Sequence, residues 1–335
     1  MFRKFALMLA AGSLVMGVAG VAGATTTLKV GTVAPADSTW GKEFKKFAKN
    51  VSDDTNGELT LDFMWNAQAG DENLMVQKIR SGQLDAAAVT VFGLAQTGVT
   101  DIMVFQLPGL FQNWAKLDQV RDAMKEDFEK KFEAKGFTIL GWGDVGAAKN
   151  MTIGFEVHHP ADLQGKGVFF YSGDPVAPKL YSVIGGITPK QLTINEVLPT
   201  LTGGAINVIT APPIGAEQLQ WGSRITHICN DTVAFAIGGV IASSARLNSL
   251  PANLRDVVIK RGAESAASLT KSIRNVDAQA FARMKQSKKT YDLSDSEKAE
   301  WKTVFVKVAK DLRGSVLSPG IFDHVMQLAG NPLAQ

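Results

Sequence analysis

The chain has one cysteine, Cys229, in 335 residues, so no disulfide can form within it. Without a bridge, stability outside a reducing compartment must rest on a large core, and a mature chain of about 310 residues supplies one. Cys229 has no His/Asn signature around it and reads as a small buried hydrophobe rather than a nucleophile. An excess of one charge is missing too: 35 Lys and Arg stand against 32 Asp and Glu. No basic block appears, which removes the electrostatic footprint of a nucleic-acid binder. Histidine is scarce, at four residues. His158 and His159 precede Pro160 in a polar turn without a carboxylate or Cys at metal-ligand spacing, and His227 and His324 stand alone. There is no Gly-x-Ser-x-Gly, no His-Glu-x-x-His and no phosphate-cradling loop, and Gly203-Gly204 signals only a loop. A catalytic centre, a metal site and a bound cofactor are therefore not expected.

Long apolar runs are absent after the first two dozen residues. Residues 1–24 carry Arg3 and Lys4, an apolar stretch from Phe5 to Val21, and then Ala22-Gly23-Ala24. This is the layout of a secretory signal peptide cleaved near Ala24. A membrane anchor is the alternative, but the run is short for a span and weakened by glycines. No Cys follows that would take a lipid. Removing Arg3 and Lys4 leaves 33 basic against 32 acidic residues. The mature chain is expected to be exported and periplasmic.

What is present is an alternation of strand and helix patterns. Leu28–Ala34 reads as a strand, and Trp40, Phe44, Phe47 and Val51 then fall on one helical face. Asp37 or Ser38 is placed to cap that helix and Asn56-Gly57 to end it. Glu58–Met64 reads as a strand, Asp71–Arg80 as a helix, and Leu84–Val91 as an apolar strand buried on both faces. A mostly parallel sheet with covering helices follows from this rhythm. A second α/β run has strands near Thr138–Gly141, Gly167–Phe170 and Ala205–Ile209, with helices near Pro175–Ile184 and Glu196–Leu201. Val233–Ala242 reads as a crossing strand back to the first run. Two such runs predict two lobes with a ligand cleft between them: 25–147 with 233–270, and 148–232 with 271–335.

From Leu254 to Met284 an apolar stripe keeps helical spacing, and no proline interrupts Ala252–Lys288. One helix of that length measures roughly 50 Å at 1.5 Å per residue and spans both lobes; two helices broken near Gly262 are the alternative. Ser294-x-x-Glu297 is a capping box before a last amphipathic helix with Trp301, Val304, Val308 and Leu312.

The wording of these segments resembles the solute-binding proteins of TRAP (tripartite ATP-independent periplasmic) transporters. The matching stretches include Thr55-Asn56-Gly57-Glu58-Leu59, Gln68-Ala69-Gly70-Asp71, Ser81-Gly82-Gln83-Leu84-Asp85, Gln106-Leu107-Pro108-Gly109-Leu110-Phe111 and Pro160-Ala161-Asp162-Leu163-Gln164-Gly165-Lys166. They occur in the family's order over nearly the whole mature chain. The resemblance implies a two-lobed α/β periplasmic-binding-protein fold, with mixed sheets and a long helix spanning both lobes. It also implies delivery of a small-molecule ligand to the membrane permease subunits of a TRAP transporter.

It further implies where the ligand sits, and here the chain departs from the pattern. The strand after Asp-Leu-x-Gly-Lys typically carries an arginine for the ligand carboxylate, whose planar donors match it bidentately. That position is Phe169, followed by Phe170 and Tyr171, of which strand alternation turns one or two toward the cleft. In the family's Gly-x-x-Asp-Gly-x-Glu-Asn-Pro stretch, Asn207, Thr210 and Ala211 replace the aspartate, the glutamate and the ligand-binding asparagine. A third cationic position falls at Ala148 or Lys149, depending on a one-residue gap. Loss of the arginine is similar to a subgroup that works with a periplasmic tetratricopeptide-repeat partner.

Two readings stay open. In one, Phe169, Tyr171 and Ala211, with Trp40, Trp65, Thr90 and Phe92 as further wall candidates, hold a hydrophobic or amphipathic ligand. In the other, a polar organic acid is held by Lys149, Asn66, Gln68, Thr90 and Thr210. A ligand-sensing protein feeding a membrane receptor would use the same cleft.

Overall fold

The computed structural model describes residues 25–333; the expected signal peptide lies outside them. The chain opens with β1 (Thr26–Thr32), α1 (Thr39–Asp54), β2 (Leu59–Met64), α2 (Glu72–Arg80) and β3 (Ala86–Thr90). β1 lies between β2 and β3 and is parallel to both, with Val30 opposite Phe63 on one side and Ala86 on the other. The buried stripe Phe44, Phe47 and Val51 packs α1 onto Leu28 and Val30, as a crossover helix covering a parallel sheet requires. Ser38 rather than Asp37 is the cap, its side chain accepting from the Gly41 N–H at 3.0 Å.

After α3 (Val91–Gln96) comes α4 (Trp114–Ala134), which the sequence reading did not identify. Its buried stripe is Leu117, Val120, Met124, Phe128 and Phe132. β4 (Phe137–Thr152) follows as one strand of 16 residues where a short one was expected. Gly141, Gly143 and Gly146 break up its apolar pattern, and glycine weakens any strand signal.

The second run is β5 (Gly167–Tyr171), α5 (Val176–Ile184), β6 (Thr188–Leu192), α6 (Ile194–Thr202), β7 (Val208–Ala211), α7 (Pro213–Gln218) and β8 (His227–Cys229). β9 (Ala234–Ser243) returns the chain, followed by α8 (Ser244–Asn248), α9 (Ala252–Ser287), β10 (Lys289–Tyr291), α10 (Asp295–Leu312) and α11 (Pro319–Leu328). The strand order is β2-β1-β3-β9-β4-β7-β5-β6. Residues 137–148 of β4 pair with β9, and Lys149–Thr152 pair with β7. One strand thus belongs to both lobes, and the cleft forms where its partners change.

α9 is a single helix of 36 residues. Gly262 marks close packing, not a break: a Cβ there would lie 2.8 Å from the Leu140 carbonyl oxygen of β4. Ser294 and Glu297 form the expected capping box on α10. Of the C-terminal segment expected with the second lobe, β10 pairs with β8 and α10 runs beside α5, while α11 and one face of α10 pack on the first run. Val308, Leu312, Phe322, Val325 and Met326 share a core with Ile102, Phe105 and Phe128. The other face of α10 meets the second lobe along the helix, with Trp301 among Leu163, Val168 and Tyr181 and Asp311 3.8 Å from Lys179 of α5. α10 carries apolar residues on two faces, so it bridges the lobes.

Candidate functional site

A cavity of about 250 Å³ lies between the two lobes. Its first-lobe wall comes from the loop after β1, the face of α1 with Trp40 and Phe44, Thr90 at the end of β3, and Phe92 of α3. Its second-lobe wall comes from β5, the end of β7 with Thr210 and Ala211, and Leu180 and Tyr181 of α5. β4 forms the floor through Gly141, Gly143, Asp144, Ala148 and Asn150. Parallel strands end at this crevice, where α/β sheets place their ligands.

The walls are largely aromatic. Phe92 of the first lobe stacks on Tyr171 of the second, with ring centroids 5.1 Å apart. Phe169 meets Trp221 edge-on at 5.9 Å, and Phe170 meets Tyr181 at 6.5 Å. Phe169, Phe170 and Tyr171 all border the cavity, although they alternate along the strand. Phe169 and Tyr171 belong to one apolar cluster and Phe170 packs on another, so the cavity reaches residues on both faces of β5. The Tyr181 hydroxyl donates to the Phe169 carbonyl at 3.0 Å and is used within the lobe.

Among the described lining residues there is no Lys, Arg or His; the ionisable acids are Glu72, Asp144 and Asp174. Glu72, 1% exposed, accepts from the Thr90 N–H at 2.9 Å, the Thr90 hydroxyl at 2.7 Å and the Gly93 N–H at 2.9 Å. Burial outweighs these donors and pushes its pKa up to about 7. Asp174 accepts from the Val176 N–H at 2.7 Å, and burial pushes it up to about 6. Asp144 is paired with Arg121 of α4 and Arg274 of α9, each 2.6 Å away. Thr210 donates to Asn150 at 2.8 Å.

Of the residues singled out from the sequence, Trp40, Thr90, Phe92, Phe169, Tyr171, Thr210 and Ala211 line this cavity. Lys149, Trp65, Asn66 and Gln68 do not. Ala148 and Asn150 face the cavity, so alternation turns Lys149 away. Its ammonium donates to the Asn230 carbonyl at 2.5 Å and the Thr232 hydroxyl at 3.2 Å, and lies 4.4 Å from the centre of the Phe281 ring. It is buried, at 6% exposure, and burial lowers its pKa. Trp65 stacks on Phe63 at 5.0 Å. Asn66 holds a left-handed turn (φ 54°), its N–H donating to Ala34.

The sequence reading missed Glu72, Gln106, Asp144 and Asp174. The first two adjoin quoted motifs, directly after Gly70-Asp71 and at the head of Gln106-Leu107-Pro108. Asp144 and Asp174 had no such signal. His158 and His159 do meet carboxylates, contrary to the spacing argument: Glu156 at 2.9 Å and Glu300 at 2.8 Å, respectively. No metal-ligating group of three forms among the described residues.

Two lobes threaded by one strand, with a walled cavity between them and a helix along both, define a solute-binding protein. Residues 30–314 match the family described as bacterial extracellular solute-binding protein, family 7, and the chain belongs to that family, the solute-binding proteins of TRAP transporters. It is 24% identical to the C4-dicarboxylate-binding periplasmic protein DctP of Rhodobacter capsulatus, over 85% of this chain and 86% of that one. It superposes on the sugar-acid-binding protein DctPAm of Advenella mimigardefordensis, solved with galactonate, with a TM-score of 0.85. That match has 19% identity and covers 92% of this chain and 99% of that one. A TRAP periplasmic solute-binding protein of Shewanella oneidensis, solved with succinate, gives 0.84 at 19% identity, covering 91% and 100%.

Proposed function

We propose that the protein captures a small apolar or amphipathic ligand in the periplasm and delivers it to the permease subunits of a TRAP transporter. The observation that carries the choice of cargo is the absence of Lys, Arg and His among the described lining residues, set against a largely aromatic wall. A buried carboxylate without paired donors costs several kcal/mol. Each Leu- or Phe-sized group buried in this cavity contributes roughly 1.5–3 kcal/mol instead. Closure of the lobes over the ligand then forms the surface that the permease reads, a hinge-type population shift. A periplasmic tetratricopeptide-repeat helper belongs to the same reading, and co-purification from periplasm tests it.

The relatives support a second reading, a polar organic acid, since DctP is named for C4-dicarboxylates and structural neighbours hold galactonate and succinate. Mass spectrometry of solvent extracts from the purified protein, against a denatured and refolded control, separates the two. A stoichiometric lipid or aromatic compound is expected. An organic acid in its place overturns the choice of cargo while leaving the transport role intact.

A further inference from the structure

Two of the described tryptophans are buried, and they differ in what their indole N–H does. Trp301 is 5% exposed, and its N–H donates to the His158 carbonyl at 3.0 Å. Trp221, on the short helical turn after α7, is 3% exposed, and its N–H has no hydrogen-bond partner among the described residues. That atom is not sealed within the lobe: it keeps accessible surface, and the side chain borders the cavity. Phe169 stands edge-on to its ring at 5.9 Å, and Ala211 and Ala216 belong to the same apolar cluster. None of these side chains accepts a hydrogen bond. Trp40, at the start of α1, borders the cavity from the other lobe, and its N–H also has no partner among the described residues. Thr39, next to Trp40, and Gln218, one turn before Trp221, hydrogen-bond to each other across the lobes at 2.8 and 3.1 Å. The two tryptophans therefore stand at one end of the cavity, one on each lobe.

An indole N–H donates and cannot accept, and a buried tryptophan N–H normally has a partner. Water serves it while the cleft is open. A ligand that fills the cavity and expels that water has to bring an acceptor, or it leaves the donor unpaired and loses affinity. The rest of the wall restricts which acceptor. A carboxylate would share the cavity with Glu72, Asp144 and Asp174, and no Lys, Arg or His is among the described lining residues. A hydroxyl accepts, but it brings a proton of its own that an indole cannot take. A ketone or ester carbonyl accepts without charge and needs no acceptor in return. Its oxygen has two lone pairs, one for each indole.

We propose that the ligand carries a neutral carbonyl group, a ketone or an ester, on an apolar body, and that the Trp221 indole N–H donates to its oxygen. Trp40 supplies the second donor from the opposite lobe. This inference rests on the apolar-cavity reading and adds the ligand's polar group and the end of the cavity that receives it. Because the two donors belong to different lobes, one carbonyl oxygen ties the lobes together only when they meet.

The test displaces the neutral fluorophore N-phenyl-1-naphthylamine from delipidated protein with methyl decyl ketone, with the alkene in which a methylene group replaces the ketone oxygen, and with dodecanoate. Trp221→Phe is expected to weaken the ketone about 10-fold relative to the alkene, as loss of about 1.4 kcal/mol of hydrogen-bond energy gives. Both competitors lose the same ring contacts in that variant, so their ratio reads the N–H alone. Trp40→Phe is expected to change the ratio less. In infrared spectra the isotope-labelled carbonyl of the bound ketone should absorb below its frequency in hexane, and Trp221→Phe should move the band back up. A wild-type band at the hexane frequency overturns the proposal without any variant. So does a lowered band that Trp221→Phe leaves in place, or a ketone-to-alkene ratio that it does not change; the apolar-cavity reading then stands. Dodecanoate outcompeting the ketone overturns the choice of a neutral group. If neither the fluorophore nor any of the three compounds binds, the apolar-cavity reading itself falls, and this proposal with it.

Discussion

Lys149 is held by groups that carry no charge: the Asn230 carbonyl, the Thr232 hydroxyl and the face of Phe281. Lys149→Met keeps most of the packed stem but strands two buried acceptors, so it should lower stability by about 1–3 kcal/mol in urea unfolding. Ligand affinity should stay within about twofold, because the side chain points away from the cavity; a tenfold loss of affinity at unchanged stability would return Lys149 to the site. Glu72 makes a prediction in pH. Below its ordinary value of 4.5 the group is protonated in both the folded and unfolded states. Between 4.5 and about 7 the unfolded chain ionises while the buried side chain keeps its proton, so stability falls as pH rises. The fall amounts to about 3 kcal/mol and levels off above pH 7. Stability curves of wild type and Glu72→Gln should therefore diverge over that window, and parallel curves would remove the claim. At this scale the sequence reading turned on parity. Whether Ala148 or Lys149 met the ligand hung on a one-residue gap, and a one-residue slip exchanges the faces of a strand.

Elements were legible where a local pattern persisted. The stripe from Leu254 to Met284 repeats through eight turns and more, and α9 appears as expected. β4 was not legible beyond its first residues, because its pattern is interrupted by glycines whose purpose is close packing with α9. A Cβ on Gly141 would lie 2.5 Å from that of Ala266, and one on Gly262 would lie 2.9 Å from that of Leu140. Gly262→Ala weighs two opposing terms. Helix propensity favours alanine by about 1 kcal/mol, whereas the new methyl meets the β4 backbone, which has no flexible end to give way. Overpacking of this kind typically destabilises by about 1–3 kcal/mol, so the variant should be less stable than wild type in thermal and urea unfolding. A gain in stability would show that α9 can lift off β4 freely.

The cavity belongs to the whole molecule, which is why it was only half visible in the sequence. Its walls draw on α1, α2, β3, β5, β7 and the start of α10, and no local pattern encodes how two lobes are placed. Phe169, Thr210 and Ala211 were found because aligned motifs carried them, while Asp144 and Asp174 belong to no motif quoted above. Lobe placement depends on a small set of links. At the register shift between Asp144 and Gly146 of β4, Gly146 adopts φ 140° against Pro212 and Asp277. There Asp277 of α9 accepts from the Ala147 N–H at 2.9 Å and the Ile214 N–H at 3.0 Å. That knot joins the lobes at their junction. Across the cleft the aromatic contact is Phe92 on Tyr171. A stacked pair contributes about 0.5–1.5 kcal/mol beyond its area, and about 1.4 kcal/mol is tenfold in an equilibrium. Phe92→Ala should therefore move the ligand-free protein about tenfold toward open lobes. Small-angle scattering should show a larger radius of gyration than wild type, returning to the wild-type value when ligand is added to saturation. If variant and wild type give superimposable profiles with and without ligand, the stack does not hold the lobes together, and the β4–β9–α9 junction, α10 and the Thr39–Gln218 hydrogen bonds at 2.8 and 3.1 Å keep the cavity formed without it.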